Sequence, residues 1–357
     1  MSFLTRPIRR QIYQFIYMIT RWIVLTLLIA AVATGCKGDR FSEDPVVENF
    51  RYSSSNLLPA LQKAVENPER GTQDLYQEFG SFWEIYCEDV MHFGPANEPV
   101  VLSSVQEFLT HPDMQSANAA IEQNFSSKYT EIDQQLSNAF LRYEGYLGDY
   151  PTPQVVYMNS GFIYSVLPSD SALGIGLEYF LGVDHPIVKQ LDPQVFPQYV
   201  KNKMKPEFLV SEALRGWLLV QYQDQYYSEK TLLDALMYWG KIMYILDVLL
   251  PTVPDHLKMS YTEAEQQWCT TNERNIWLEL SKQDILYESR RFEINRWIAD
   301  GPFTRVENVP QDAPSRIGIW MAREIVRDYM NRNEKVTLHD LLEERNYLPM
   351  LNAYRPE

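Results

Sequence analysis

The sequence predicts an α+β protein, mostly helical, with a small sheet near the middle of the chain. Two observations predict it. From about residue 56 to 146, and again after Pro206, apolar residues recur at helical spacing. Between Pro151 and Phe180 that period gives way to short runs rich in β-branched and aromatic residues, broken by Gly, Asn, Ser and Asp.

The first 35 residues contain Arg6, Arg9, Arg10 and Arg21 and no acid, followed by an apolar run at 22–33 and then Thr34-Gly35-Cys36. Basic, apolar, then small is the order of a secretory signal, and a run of about 12 apolar residues is short for a spanning helix. Ala33-Thr34-Gly35-Cys36 is similar to a bacterial lipobox, which makes Cys36 the expected lipidation site. Residues 36–55 are polar, lack periodicity and read as a tether. The expected organisation is a signal peptide at 1–35, a tether at 36–55 and a globular domain at 56–357, outside the cytoplasm and bound to a bacterial membrane through lipid; the alternative is an uncleaved anchor in which residues 12–19 join the apolar run.

Within the domain, helices are expected at 57–67, 74–92, 100–109 and 113–146. Three strand candidates follow: 155–158, 162–166 and 172–180. Further helices are expected at 207–222, 262–280, 284–298 and 316–330, with a last one starting at Thr337. The most strongly patterned stretch is 231–251, whose Leu232, Leu236, Trp239, Met243, Leu246 and Leu250 share one broad face opposite Asp234 and Lys241. Asp247 lies on its apolar side in the last turn, where the macrodipole disfavours a carboxylate. It therefore needs a specific partner, and Arg316 and Arg323 are the expected ones.

With 45% apolar residues the chain can bury a large core. Its net charge of −15 disfavours nucleic acid as a partner. Cys36, Cys87 and Cys269 make neither a disulfide scaffold nor a metal knuckle, and whether the last two pair is left open. No two of His92, His111, His185, His256 and His339 fall within one helical turn, so H-E-x-x-H is missing. There is no G-x-S-x-G elbow. Glu84, Glu88 and Asp89 could hold a cation, but a solvated helix face explains them as well. The aromatic runs at 79–86 and 222–227 could stack on sugars, or simply pack.

Five segments in order, GIGLEYFLGVDHP (174–186), PQYVKNKMKPEFLV (197–210), LLDALMYWGKIMYILDVLLP (232–251), NERNIW (272–277) and PSRIGIWMAREIVRDYM (314–330), resemble the gliding-motility-associated lipoprotein GldB family. The resemblance implies a cell-envelope lipoprotein that works with other envelope lipoproteins and with gliding or type IX secretion machinery. The family also resembles predicted zinc proteases of the gluzincin type, which implies a zincin-like scaffold. On that scheme residues 174–180 form the edge strand, Ser211, Glu212 and Arg215 stand in the H-E-x-x-H place, and Trp239 stands where the third ligand would be. Guanidinium and indole do not bind zinc. The expectation is a pseudo-metalloprotease with no metal, cofactor or catalytic residue, acting through protein contacts. The alternatives are a hydrolase using Glu212 as base, and a glycan- or peptidoglycan-binding protein using exposed aromatics.

Overall fold

The computed structural model describes residues 40–224 and 230–356. The signal segment, Cys36 and the start of the tether lie outside the described residues. The chain divides into a unit ending at Glu43 and a second unit from Asp44 onward, and the fold below is that of the second. Among the described residues no helix is long and apolar enough to cross a membrane.

Four strands form one mixed sheet in the order β1-β2-β4-β3: β1 (Ser54–Asn56), β2 (Gln154–Met158), β3 (Val166–Pro168) and β4 (Ala172–Gly176). β1 and β4 run parallel to β2, and β3 runs antiparallel to β4. β1 went unanticipated because three residues, Ser-Ser-Asn, carry no strand signal. Its pairing shortens the tether expected at 36–55. Ser53 accepts from Val155 N, the Tyr52 hydroxyl donates to Asp133 (2.7 Å), and Asp44 pairs with Arg142 (2.5 Å), so the chain from Asp44 onward is docked on the domain.

Before the sheet come α1 (Leu57–Glu66), α2 (Gly71–Phe79), α3 (Ser81–Glu84), α4 (Val101–Thr110), α5 (Pro112–Phe125) and α6 (Tyr129–Tyr146). The single helix expected at 74–92 breaks at Gly80, whose φ of 55° is left-handed, and its second half is wound as a π-helical turn, Ile85–Val90. Leu57, Leu61, Leu75, Phe82, Trp83, Tyr86 and Val105 form a core with Val156 and Met158 of β2. Gly174 is required there, since a Cβ on it would lie 2.7 Å from the Phe82 ring.

After the sheet come α7 (Pro186–Gln190), α8 (Gln198–Lys201), α9 (Leu209–Gln221) and α10 (Leu232–Leu249). They are followed by α11 (Asp255–Met259), α12 (Glu263–Thr271), α13 (Glu273–Leu280), α14 (Gln283–Leu286) and α15 (Arg291–Ile298). The chain closes with α16 (Ile317–Arg332), α17 (Leu338–Glu343) and α18 (Leu348–Ala353). The strongly patterned helix is α10, started by a capping box between Thr231 and Asp234 and buried along nearly its whole length. α16 is its main neighbour. Gly240 makes that contact close: a Cβ there would lie 2.6 Å from the Ala322 carbonyl. Lys241, assigned by periodicity to a polar strip, is 1% exposed and donates to the Leu342 (3.2 Å) and Glu344 (2.6 Å) carbonyls at the C-terminal end of α17. Burial lowers its pKa to about 7. The polar strip is thus where the C-terminal segment docks.

The fold is α+β and mostly helical, as the sequence predicts. The edge strand implied for 174–180 is corrected, because β4 lies between β2 and β3 and residues 177–180 turn into a 3₁₀ segment.

Candidate functional site

α9 begins after Pro206, and its first two turns carry Ser211, Glu212 and Arg215. Glu212 and Arg215 are three apart, so they share a face. The Arg215 Nη2 donates to Glu212 Oε2 at 2.5 Å, and the Ser260 hydroxyl donates to Glu212 Oε1. Ser260 closes α11 in the left-handed region (φ 53°), which turns its hydroxyl back onto α9. Arg215 also reaches the Ser260 hydroxyl at 3.3 Å.

Three more residues complete the cluster: Lys203 and Asp300, which sequence reasoning missed as it did Ser260, and Arg316, which it had assigned to Asp247. Arg316, also left-handed (φ 61°) at the start of α16, reaches the Met259 carbonyl (2.5 Å) and Asp300 (2.9 Å). Lys203 pairs with the same Asp300. A cation at a helix N-terminus, where the macrodipole repels it, was the signal that could have singled out Arg316.

The electrostatics follow from this arrangement. Burial alone would raise the Glu212 pKa, but the Arg215 and Arg316 guanidiniums and the Ser260 hydroxyl outweigh it and hold the carboxyl below its usual range. Burial and the neighbouring Arg316 push Lys203 down to about 8. A carboxylate held down in this way is a poor general base, because base strength falls with pKa.

Ser211 shares the helix but not the cluster. It lines a cavity of about 730 Å³ with Val210, Ile132 and Leu257. Trp239 is not brought to Glu212 at all. It lines a separate cavity of about 320 Å³ with Leu219, Tyr238, Asn295 and Ile298, and none of the Glu212 partners is part of that lining. Among the described residues no three His, Cys, Asp or Glu side chains are grouped to hold a metal ion.

Asp247 has the arginine partner expected of it. Arg323, which is 0% exposed, grips both of its oxygens, while Arg327 and Lys258 add contacts of 2.8 Å each. Asp255 and Glu324 complete a set of three anions and three cations joining α10, α11 and α16. Burial opposes ionisation of Asp247, yet the two arginines bring its pKa down to about 2. Arg316, the other expected partner, serves Asp300 instead.

The remaining candidates have local roles. Glu88 caps Ala96 N (2.8 Å), Glu84 accepts from the Tyr76 hydroxyl, and Asp89 is exposed. Cys87 and Cys269 are separate buried thiols. In the aromatic run at 79–86, Phe79, Phe82, Trp83 and Tyr86 are core residues.

Comparison with known families decides the affiliation. The model of the family described as gliding motility protein GldB matches residues 43–356. This chain belongs to that family. No curated protein and no solved structure matches it. The GldB-family match begins within a residue of Asp44, where the docked chain starts, so residues 44–55 lie inside the matched region and not in a spacer before it.

Proposed function

We propose that this GldB-family protein is a non-catalytic envelope lipoprotein, anchored to a bacterial membrane through Cys36. It supports gliding-motility and type IX secretion machinery by contacting other envelope lipoproteins or machine components. Membership of a family described as gliding motility proteins supports the setting. The observation that carries the non-catalytic part is the state of Glu212. Its two oxygens are taken by Arg215 and Ser260, and its pKa is lowered. Hydrolysis needs a base near neutrality within reach of a water, and Glu212 is already neutralised by its neighbours. Arg215 and Trp239 supply no metal-binding atom. Metal analysis and a broad peptidase assay on the purified domain test the reading. The expected result is substoichiometric zinc and no activity. Stoichiometric zinc on which peptidase activity depends would overturn it.

A further inference from the structure

α16 carries Trp320, Glu324, Arg327 and Asp328 at spacings close to whole helical turns, so they share one face. That face lines a cavity of about 330 Å³, together with Asp255 of α11, Gln266 of α12, Glu273 of α13, and Tyr354 and Arg355 beyond α18. Three of these residues each bring a polar atom that is closed off from bulk water and has no hydrogen-bond partner among the described residues: Trp320 Nε1, Gln266 Oε1 and Asp328 Oδ2. Trp320 is 2% exposed. Asp328 uses its other oxygen on Arg332, at 2.9 Å. Buried polar atoms without partners are few in a folded protein, and each is costly. Gathered on one cavity, one donor and two acceptors point to a ligand that completes them.

The charge of the lining narrows what that ligand is. Four carboxylates, Asp255, Glu273, Glu324 and Asp328, stand against two guanidiniums, Arg327 and Arg355. Asp255, Glu324 and Arg327 belong to the network around Asp247, which holds this wall in place. The surplus of negative charge shows in the groups it surrounds. Burial raises the Glu324 carboxyl against the pull of Arg327 and Arg323, and burial together with Glu273, Glu324 and Asp328 raises the Tyr354 hydroxyl. Arg355 is fixed at the rim by its own segment, its Nη1 donating to the Asn352 (2.8 Å) and Tyr354 (2.6 Å) carbonyls.

We propose that this cavity, lined by Trp320, Gln266 and Asp328, binds a free amino acid with a basic side chain. The N–H groups of the ligand donate to Gln266 Oε1 and Asp328 Oδ2 and offset the surplus negative charge. Its carboxylate accepts from the Trp320 N–H, with Arg355 as counter-ion. Other occupants meet only part of this demand. Water would satisfy the three atoms and leave the charge uncompensated. An inorganic anion would be repelled, and a neutral amino acid would add no net positive charge. A metal ion cannot accept from an indole N–H, and no three His, Cys, Asp or Glu side chains are grouped to hold one among the described residues. The volume is at the small end of the range for ligand sites, about 300–1,000 Å³, which suits one amino acid and not a peptide. None of the Glu212 partners lines this cavity, so the site stands independently of the protein-contact reading.

Isothermal titration calorimetry of the full chain in detergent tests this, with L-lysine and L-arginine as probes. Cadaverine, which lacks the carboxylate, and L-norleucine, which lacks the side-chain cation, are the comparisons. The expected result is one saturable site per chain for lysine or arginine, with each comparison compound at least about tenfold weaker. Trp320→Phe removes the N–H and keeps a ring, and Asp328→Asn removes the charge and keeps the shape; each should weaken binding about tenfold. Trp239→Phe, the same change at the unpartnered indole of the other cavity, should leave binding unchanged. Circular dichroism establishes that the variants are folded. Should Trp320→Phe not fold, Asp328→Asn decides, since that side chain is 25% exposed. No saturable heat from either probe up to about 10 mM would overturn the proposal. So would norleucine or cadaverine binding as tightly, several ligands bound per chain as an acidic surface would give, or folded variants that bind like the native chain.

Discussion

Arg323 holds Asp247 by both carboxylate oxygens, Nη2 to Oδ1 at 2.5 Å and Nε to Oδ2 at 2.8 Å, across the packed interface of α10 and α16. Arg323 is 0% exposed and cannot reach bulk water without opening that interface, and the Asp247 side chain is only 11% exposed. Removing Asp247 leaves Arg323, Arg327 and Lys258 with Asp255 and Glu324 alone, so that a buried cation loses its best partner, which is far more costly than the pair itself is stabilising. Asp247→Ala should therefore destabilise the domain by about 3–5 kcal/mol, measured by urea unfolding with an unchanged slope.

The same pair makes stability depend on acid. The folded pKa of Asp247 is depressed to about 2 against an ordinary 3.8, so the folded state binds fewer protons between those values. The contribution is complete above about pH 4 and is lost as pH falls toward 2. Asp255 shifts in the same direction, while Glu324, raised by burial, acts oppositely above its ordinary 4.5. Urea midpoints taken from pH 5 to pH 2 should fall steeply for the native chain and less steeply for Asp247→Asn.

Lys241 predicts a trend on the alkaline side. Its pKa is about 7 in the folded chain against an ordinary 10.5, so the unfolded chain binds more protons between these values and stability rises with pH across that window. Lys203, at about 8, adds in the same sense. Stability should increase from pH 7 to pH 9.5, and Lys241→Met should flatten the rise. Above pH 10 the buried tyrosines, whose pKa values are raised, reverse the sign.

Gly240 and Trp239 are neighbours with different demands. Gly240→Ala gains about 1 kcal/mol of helix propensity but forces a Cβ to 2.6 Å from the Ala322 carbonyl, and overpacking of about 1–3 kcal/mol should win. Trp239→Phe should cost less than about 1.5 kcal/mol, because the indole Nε1 has no hydrogen-bond partner among the described residues. Thermal unfolding of the two variants separates the cases.

Much of this was legible in the sequence, for local reasons. The three Thr-x-x-Asp/Glu capping boxes start α10, α12 and α17 where the motif stands, because a cap is satisfied within four residues. The partner of Asp247 was legible because an acid in the last turn of an apolar helix has to be neutralised by something. Other features depend on contacts that periodicity does not encode. Lys241 looked like a surface residue because its two carbonyl partners lie about a hundred residues downstream. The strand expected at 162–166 is displaced to β3 because Phe162 is held left-handed by Glu178 and Tyr179, which no local pattern signals. In the candidate site, Glu212 and Arg215 were identified together only through the resemblance that set them in the H-E-x-x-H place, whereas Ser260, Lys203 and Asp300 come from three other segments and had no shared motif. Trp239 was aligned with Glu212 by sequence order alone, and the fold places it on a different cavity.

The central claim, that Glu212 has a structural role and no catalytic one, is tested most directly by complementation. Glu212→Gln in the full chain, expressed from its native position in a deletion strain, leaves Arg215 and Arg316 short of a counter-charge and should lower stability by about 1–3 kcal/mol. The account predicts that this variant, once shown to be folded and present in the envelope at wild-type level, restores the deletion phenotype fully. A folded, correctly located Glu212→Gln protein that fails to restore it would contradict the account.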